Sequence, residues 1–319
     1  MGPDPFAGTA TAIAADRALI EAVLAQRGVR LRDFTRPSGL HACGYVAACW
    51  LAVAAGVALW NAGGYGAMTA VPIFALTQHA LLTLTHEACH LNLFPRKELN
   101  NLAGDLLLAL PIGQTVRSYA ITHLPHHTHL NTAQDTAFFA TNPSHSRGRV
   151  CWMFLSFLLG RTVWDLALRT WNGGRLDRSF SGPGSPTVSG TERRRAVAVL
   201  VYHAPIVAAA YAWGFLGLWI AWTVSSIMLV PVIDGVRVIA EHRRGSRDGS
   251  TFHTRSHHVN GLLSGLLSPF FQYHWEHHAV PGVPHCRLGR LHRLLVKAGV
   301  GQARPARAGI FGAFIRGMS

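Results

Sequence analysis

The sequence predicts an all-α, multi-pass membrane protein with four transmembrane helices in two hairpins and the remaining helices gathered into a cytoplasmic cap. Three observations lead there. Apolar residues make up 49% of the 319 and charged residues only 14%, with a mean hydropathy of +0.21, too apolar for an ordinary soluble domain. No Lys or Arg occurs between Arg36 and Arg96, or between Arg195 and Arg237, although the chain carries 29. The 19 histidines include three tight clusters, HEACH, HLPHH and HWEHH, at the ends of apolar runs or in the polar segments between them.

In chain order, residues 1–40 are an N-terminal cytoplasmic or interfacial segment. Within it Ala10–Gln26 reads as a helix whose apolar stripe (Ile13, Leu19, Ile20, Val23, Leu24) lies on the bilayer or against the cap. No cleavable signal peptide is expected, because the first apolar run begins near His41 after a charged segment. That run, His41–Trp60, and the next, Met68–Thr85, each approach the ~20 residues a spanning helix needs. Asn61–Gly66 supplies the turn between them. Asn101–Gly113 is about 13 residues, too short to span, and is expected to be interfacial or re-entrant. Val150–Trp171 is long enough, but Arg161, Asp165 and Arg169 recur on one face, which favours a helix lying on the membrane surface. Residues 173–195, rich in Gly, Ser, Pro and charge, read as a linker. The second basic-free stretch repeats the first, with Ala196–Trp213 and Phe215–Ile233 broken at Gly214 and Gly217. Residues 301–319 form a basic tail. Both halves supply histidines, so residues 1–319 are read as one domain.

Because the hairpin turns lack basic residues while the flanks are rich in them, both termini and the large connections are expected in the cytoplasm. The formal net charge of +14 is thereby concentrated on one side, suiting anionic headgroups and an acidic protein partner. Nucleic acid is not expected, since the basic residues flank spans instead of forming a separate module. Arg-, Ala- and Gly-rich usage points to a bacterial inner (plasma) membrane. Five cysteines without a C-x-x-C pair argue against a disulfide framework. Cys89 points off the face shared by His86 and His90 and is read as packing.

On a helix, residues three and four apart share a face, so H-x-x-x-H and H-x-x-H-H each aim imidazoles at one point. His86 and His90, His123, His126 and His127, and His274, His277 and His278 are therefore candidate metal ligands. A lone pair such as His257–His258 is read as structural or solvent-exposed. His242, in Arg237-Val-Ile-Ala-Glu241-His242, follows the fourth span as His86 follows the second, and on position alone it is balanced between ligand and packing roles. Imidazole suits iron, zinc, copper and nickel alike, so ligand type alone does not name the metal. Four ligands already close a structural zinc tetrahedron, so this many histidines fit two ions better.

HEACH, HLPHH and HWEHH, running on into AVPGVPH, resemble in order and placement the three histidine boxes of the membrane fatty acid desaturase and hydroxylase superfamily. The resemblance covers about residues 40–295. The Glu241-His242 pair is similar to an E-H pair that supplies an additional ligand in some members, which brings His242 into the ligand set. The resemblance implies a cytoplasmic-face non-haem site holding two iron ions, with O2 as co-substrate, that removes hydrogen from an unactivated C–H bond. Asp135, in NTAQDT, is the leading candidate for a carboxylate behind the ligands, because metal-bound His commonly donates its other N–H to one; Asn131 is a weaker one. Glu87, Glu241 and Glu276 are read as either such partners or solvated surface residues.

The implied activity is desaturation of a long acyl (lipid) chain, with membrane hydroxylation or carotenoid-type ketolation and hydroxylation as the enzymatic alternative. A metal-binding transporter or sensor is the non-enzyme alternative, and predicts ionisable residues inside the spans. No C-x-x-C-H, Rossmann glycine fingerprint or ferredoxin-type cysteine set is present, so electrons are expected from a separate donor, ferredoxin or cytochrome b5-like. His79 and His203 lie inside spans and are read as hydrogen-bonded packing residues, with the lining of a substrate tunnel as the alternative. His129, His253, His257, His258, His285 and His292 are read as non-ligands, and Trp275 as either a wall of the site or packing.

Overall fold

In an apolar medium every backbone N–H and C=O must find a partner within the chain, so long apolar runs become helices. The computed structural model describes residues 9–130, 135–136, 146–164, 167, 189–242, 256, 272–300, 312 and 314–315. Among the described residues all regular structure is helical. Four stretches of the described residues are long and apolar enough to cross a membrane: Gly39–Asn61, Gly64–Cys89, Gly190–Ala212 and Leu216–His242.

Helix α1 is Thr9–Ala25, with Ile20, Val23 and Leu24 buried as its stripe predicts. Helices α2 (Gly39–Asn61) and α3 (Gly64–Cys89) pack against each other. Gly56 permits the close approach, since a Cβ there would lie 2.5 Å from the Phe74 ring. The turn joining them is tighter than the expected Asn61–Gly66. Gly63 and Gly64 take φ of +66° and +50°, a region open chiefly to glycine. Helix α3 also runs beyond Thr85, so the first histidine cluster belongs to its last turn instead of following it. Residues 83–89 are buried against protein, and packing carries the helix past its apolar edge.

The segment expected as an interfacial or re-entrant helix is α4 (Lys97–Gly104), a π-helical turn (Asp105–Ala109) and a 3₁₀ turn (Leu110–Ile112), stopped by Gly113 at φ +76°. Leu108, Ala109, Leu110 and Pro111 are buried. Irregular backbone in an apolar setting needs substitute partners. Trp50 Nε1 donates to the Leu107 carbonyl at 3.1 Å, Trp222 Nε1 to that of Pro111 at 2.8 Å, and His203 Nε2 lies 3.0 Å from that of Leu110. His203 thus has the packing role expected of it.

Helix α5 is Val116–His129 and α6 is Arg147–Leu158. The single helix expected over Val150–Trp171 is broken: Gly160, at φ +77°, ends α6 in the left-handed conformation that closes many helices. Helix resumes over residues 161–164, while Asp165 and Arg169 lie outside the described residues. Helix α7 (Ser189–Ala212) takes in the last residues of the expected linker. Arg195 there pairs with Glu192 at 2.5 Å and reaches the Gly113 carbonyl at 3.4 Å, which fixes a helical start; residues 173–188 lie outside the described residues. The fourth long path is α8 (Leu216–Val224), a π turn (Ser225–Leu229) and α9 (Val230–His242). It runs past the expected Ile233 and carries Glu241 and His242 on its last turn. Helices α10 (His274–Ala279) and α11 (His285–Lys297) follow.

Among the described residues a small apolar cluster joins α6 (Val150, Met153) to α9 (Ile239), and two larger cores hold most of the other elements. One joins α1, Phe34, α10 and α11; the other joins α2, α3, the π turn and α5. The histidine-bearing ends of α3, α5, α9 and α10 meet at one place. An apolar cavity of about 360 Å³ lies among the 3₁₀ turn, α7 and α8, walled by His203, Trp219 and Trp222, with Arg195 at its lining.

Candidate metal centre

Each histidine is placed by local chemistry. Helix α3 ends with His90 at its C-cap; Leu91 takes φ +60°, and the Asn92 N–H closes the end on the Glu87 carbonyl at 3.0 Å. Helix α5 starts at a Thr115 cap, whose hydroxyl accepts from the Ser118 N–H at 3.0 Å. That start sets the phase that puts His123, His126 and His127 on one side. Helix α10 is short, and all six of its residues are buried. Its phase is pinned by Glu276, which bonds His292 of α11 and the Ser256 hydroxyl, and by Trp275, whose Nε1 donates to Asp16 of α1 at 3.0 Å. Trp275 is therefore a packing residue, and His292 a structural partner.

All nine candidate histidines converge, in two adjoining groups. His86, His90, His123, His127 and His277 form one set whose nitrogens lie within 4.8 Å of one another; His126, His242 and His278 form a second, and Glu241, His242 and His274 overlap it. The His127 and His278 rings stack at 4.1 Å, joining the groups.

The contacts between rings are nitrogen to nitrogen. Nε2–Nε2 separations are 3.2 Å for His90–His123, 2.8 Å for His123–His127, 3.2 Å for His127–His277, 3.3 Å for His126–His242 and 2.8 Å for His242–His274. An imidazole nitrogen offers one in-plane hydrogen or one lone pair, so His123, His127 and His242 cannot each serve two such neighbours by hydrogen bonding alone. A shared cation can. Donors about 2.0–2.1 Å from one ion and about 90–110° apart lie roughly 2.8–3.4 Å from each other, the spacing observed. His278 has neither ring nitrogen hydrogen-bonded and is 3% exposed, an arrangement that costs free energy unless something else occupies it. The residues present therefore fit a pair of metal ions.

Electrostatics agrees. Burial, and then the neighbouring imidazoles, hold His123, His127, His274, His277 and His278 well below the ordinary histidine range, and burial takes His90 to about 4. The rings are neutral at physiological pH, the form that binds metals.

The carboxylates expected as either partners or solvated groups are all buried and engaged. Asp135 is fully buried and 2.8 Å from His126 Nδ1, the ring nitrogen opposite the one that faces His242. Glu87 accepts from the His285 backbone N–H at 2.9 Å. Glu241 lies 2.8 Å from Arg237 Nη1 and 3.3 Å from His274 Nε2. Asn131, His253, His257 and His258 lie outside the described residues. His129 is exposed on α5, away from both groups, and Cys89 packs in the second core.

Sequence reasoning missed one feature. Arg237 had been read as a basic flank of the last span, yet it is 6% exposed and bonds both Asp234 (2.8 Å) and Glu241 on α9. Asp234 in turn lies 3.5 Å from His79 Nε2 across to α3. The i, i+3, i+7 spacing of Asp234, Arg237 and Glu241 is the signal that identifies it.

The chain is similar to known proteins over most of its length. A family model described as fatty acid desaturase matches residues 62–308. A curated relative, the dihydrorhizobitoxine desaturase of Bradyrhizobium elkanii, is 26% identical over 235 residues, covering 67% of this chain and 63% of that protein. The match thus spans less than two thirds of the relative's own length.

Proposed function

The chain belongs to the fatty acid desaturase family, and on that footing we propose that this desaturase-type oxidoreductase is an O2-dependent membrane di-iron enzyme inserting a double bond into a long acyl chain of a lipid. The nine histidines named above are its proposed ligands, and residues 1–319 one catalytic domain. The observation that carries the reading is the Nε2-to-Nε2 convergence of buried and half-buried imidazoles in two adjoining groups. Iron rests on the family, whose members use it. A bound pair of irons would supply electrons for the reduction of O2 and, with O2 as oxidant, the oxidising power for removing hydrogen from the acyl chain.

The chain's own residues do the rest. The imidazoles would hold the metals as neutral ligands, leaving much of the ions' positive charge uncompensated. Asp135 accepts from His126 Nδ1 and so fixes the ring that presents Nε2 to the ion. Glu276 locks α10 against α11, and the tight position of three histidines follows. Desaturation requires two adjacent C–H bonds to be presented in turn, so an apolar channel that orients the chain governs the outcome. The cavity walled by His203, Trp219 and Trp222 is proposed to hold part of it.

We further propose two helical hairpins with the site and both termini on the cytoplasmic side of a bacterial inner membrane. Electrons then come from a soluble acidic donor, ferredoxin or cytochrome b5-like. Exposed Arg32, Arg36, Arg290 and Arg293 support this, with Arg290 over the Phe34 ring and Arg287 bonded to the Arg36 carbonyl. These contacts join the two basic segments into one surface, next to the helix that holds Glu276.

The relative's name records a desaturase, which favours desaturation over hydroxylation or ketolation. Mass spectrometry of lipids from membranes expressing the protein tests the reaction. The expected product has lost two hydrogens and gained no oxygen; an oxygenated product would contradict the proposal.

A further inference from the structure

Among the described residues two carboxylates come within 3.5 Å of a ring nitrogen of the histidine groups, and they do so from opposite sides of the rings. Asp135 meets His126 at Nδ1, 2.8 Å away, while His126 Nε2 faces His242. That is the orientation of a supporting partner, which binds the ring nitrogen turned away from the ion. Glu241 is different. Its Oε2 lies 3.3 Å from His274 Nε2, the same nitrogen that meets His242 Nε2 at 2.8 Å. Glu241 therefore stands among the converging nitrogens, with a carboxylate oxygen, His242 and His274 all within 4.8 Å of one another.

The 3.3 Å spacing is long for a charge-assisted hydrogen bond, which runs about 2.7–2.9 Å. It suits two donors on one ion. The groups are also unequal in histidine number. Five rings surround one position and four the other, namely His126, His242, His274 and His278. Glu241 is fully buried, and a buried carboxylate needs a compensating charge. Arg237 supplies part of it at 2.8 Å, and is itself shared with Asp234.

We propose that Glu241 is a carboxylate ligand of the four-histidine position, the counterpart of the fifth histidine at the other, and that Arg237 is a positioning residue that sets the direction of its Oε2. This rests on the two-metal reading above. It makes the two irons chemically unequal, one with an all-imidazole shell and one with an anionic oxygen donor, which is harder and favours the more oxidised ion.

The test is iron content by elemental analysis together with Mössbauer spectra on the full-length protein, reconstituted anaerobically with ferrous iron. Wild type, Glu241→Gln, Glu241→Asp and Arg237→Lys are compared. Wild type is expected to show two distinct doublets. Glu241→Gln is expected to lose about half its iron, or to alter one doublet and leave the other. Glu241→Asp keeps the charge that pairs with Arg237, which separates the loss of a ligand from the loss of the fold, and withdraws the oxygen by about 1.5 Å, one C–C bond; the same single doublet should change. Arg237→Lys should keep both irons but shift that doublet. Unchanged iron content and spectra in both Glu241 variants overturn the assignment. Wild type with no iron would instead overturn the two-metal reading itself, so the two failures are distinguishable.

Discussion

Replacing Asp135 tests how the chain holds a ligand it does not touch through metal. Asp135 Oδ1 lies 2.8 Å from His126 Nδ1, and its side chain and that of His126 are 0% and 7% exposed, so water does not dilute the bond. Loss of such a supporting partner typically costs about 10–100-fold in metal affinity, which is about 1.4–2.8 kcal/mol. Asn keeps a carbonyl that can accept from Nδ1, so Asp135→Asn should sit near the tenfold end. Asp135→Ala leaves the buried Nδ1–H without this acceptor and should approach 100-fold. The weakening should be confined to the group containing His126. The His86, His90, His123, His127 and His277 group does not include that ring. Chelator competition, followed by iron content and Mössbauer spectra, resolves the two positions. If Asp135→Ala binds both metals within about twofold of wild type, or loses both equally while remaining folded, the reasoning fails.

Other outcomes follow from the same geometry. Burial holds His90 and His285 neutral, at about 4, whereas unfolded histidine titrates near ~6.5. The unfolded chain then binds more protons between those values, so the stability of the metal-free protein should be intact above about pH 6.5 and fall as pH drops toward 4. Thermal melts across that range check the sign, and a rise on acidification would refute it. At Gly104 a Cβ would lie 2.7 Å from Val116 Cγ2 and 2.9 Å from Ala88 Cβ, so Gly104→Ala should destabilise by about 1–3 kcal/mol. Because Ala88 lies between His86 and His90, iron content should fall with the melting temperature; a wild-type melt contradicts the packing argument. Electron transfer from an acidic donor should slow steeply with added salt if it docks on the Arg32, Arg36, Arg290 and Arg293 face, and rates insensitive to ionic strength would exclude that surface.

What the sequence discloses here is mostly local. Apolar run length and the absence of Lys and Arg locate all four long helices, and the i, i+3, i+4 spacing of His123, His126 and His127 places those rings on one side of a helix before any fold is known. The extension of α3 and α9 through His86 and His242 depends on burial of the final turn by distant elements, which hydropathy does not report. The same holds for the contacts that fix α10 and α11: Trp275 with Asp16 is separated by 259 residues and Glu87 with His285 by 198. The π turn at Asp105–Ala109 and the 3₁₀ turn after it have no compositional mark, because carbonyl partners for Leu107 and Pro111 come from the remote side chains Trp50 and Trp222. Arg237 shows the limit most clearly. As a basic residue after an apolar run it reads as a topological flank, and only the buried neighbours Asp234 and Glu241 reveal an internal ion pair. The break at Gly160 was within reach of the sequence, since glycine commonly ends helices, but one-sided charge through Asp165 and Arg169 argued for continuity.

The central claim is that two separate ions are held by two groups of histidine. Iron per chain and Mössbauer spectra on anaerobically reconstituted wild type, His86→Ala and His278→Ala test it most directly. The expected result is about two irons in wild type and about one in each variant, with a different doublet surviving in each. Wild type without stoichiometric iron, or either variant retaining both ions with unaltered spectra, would contradict it.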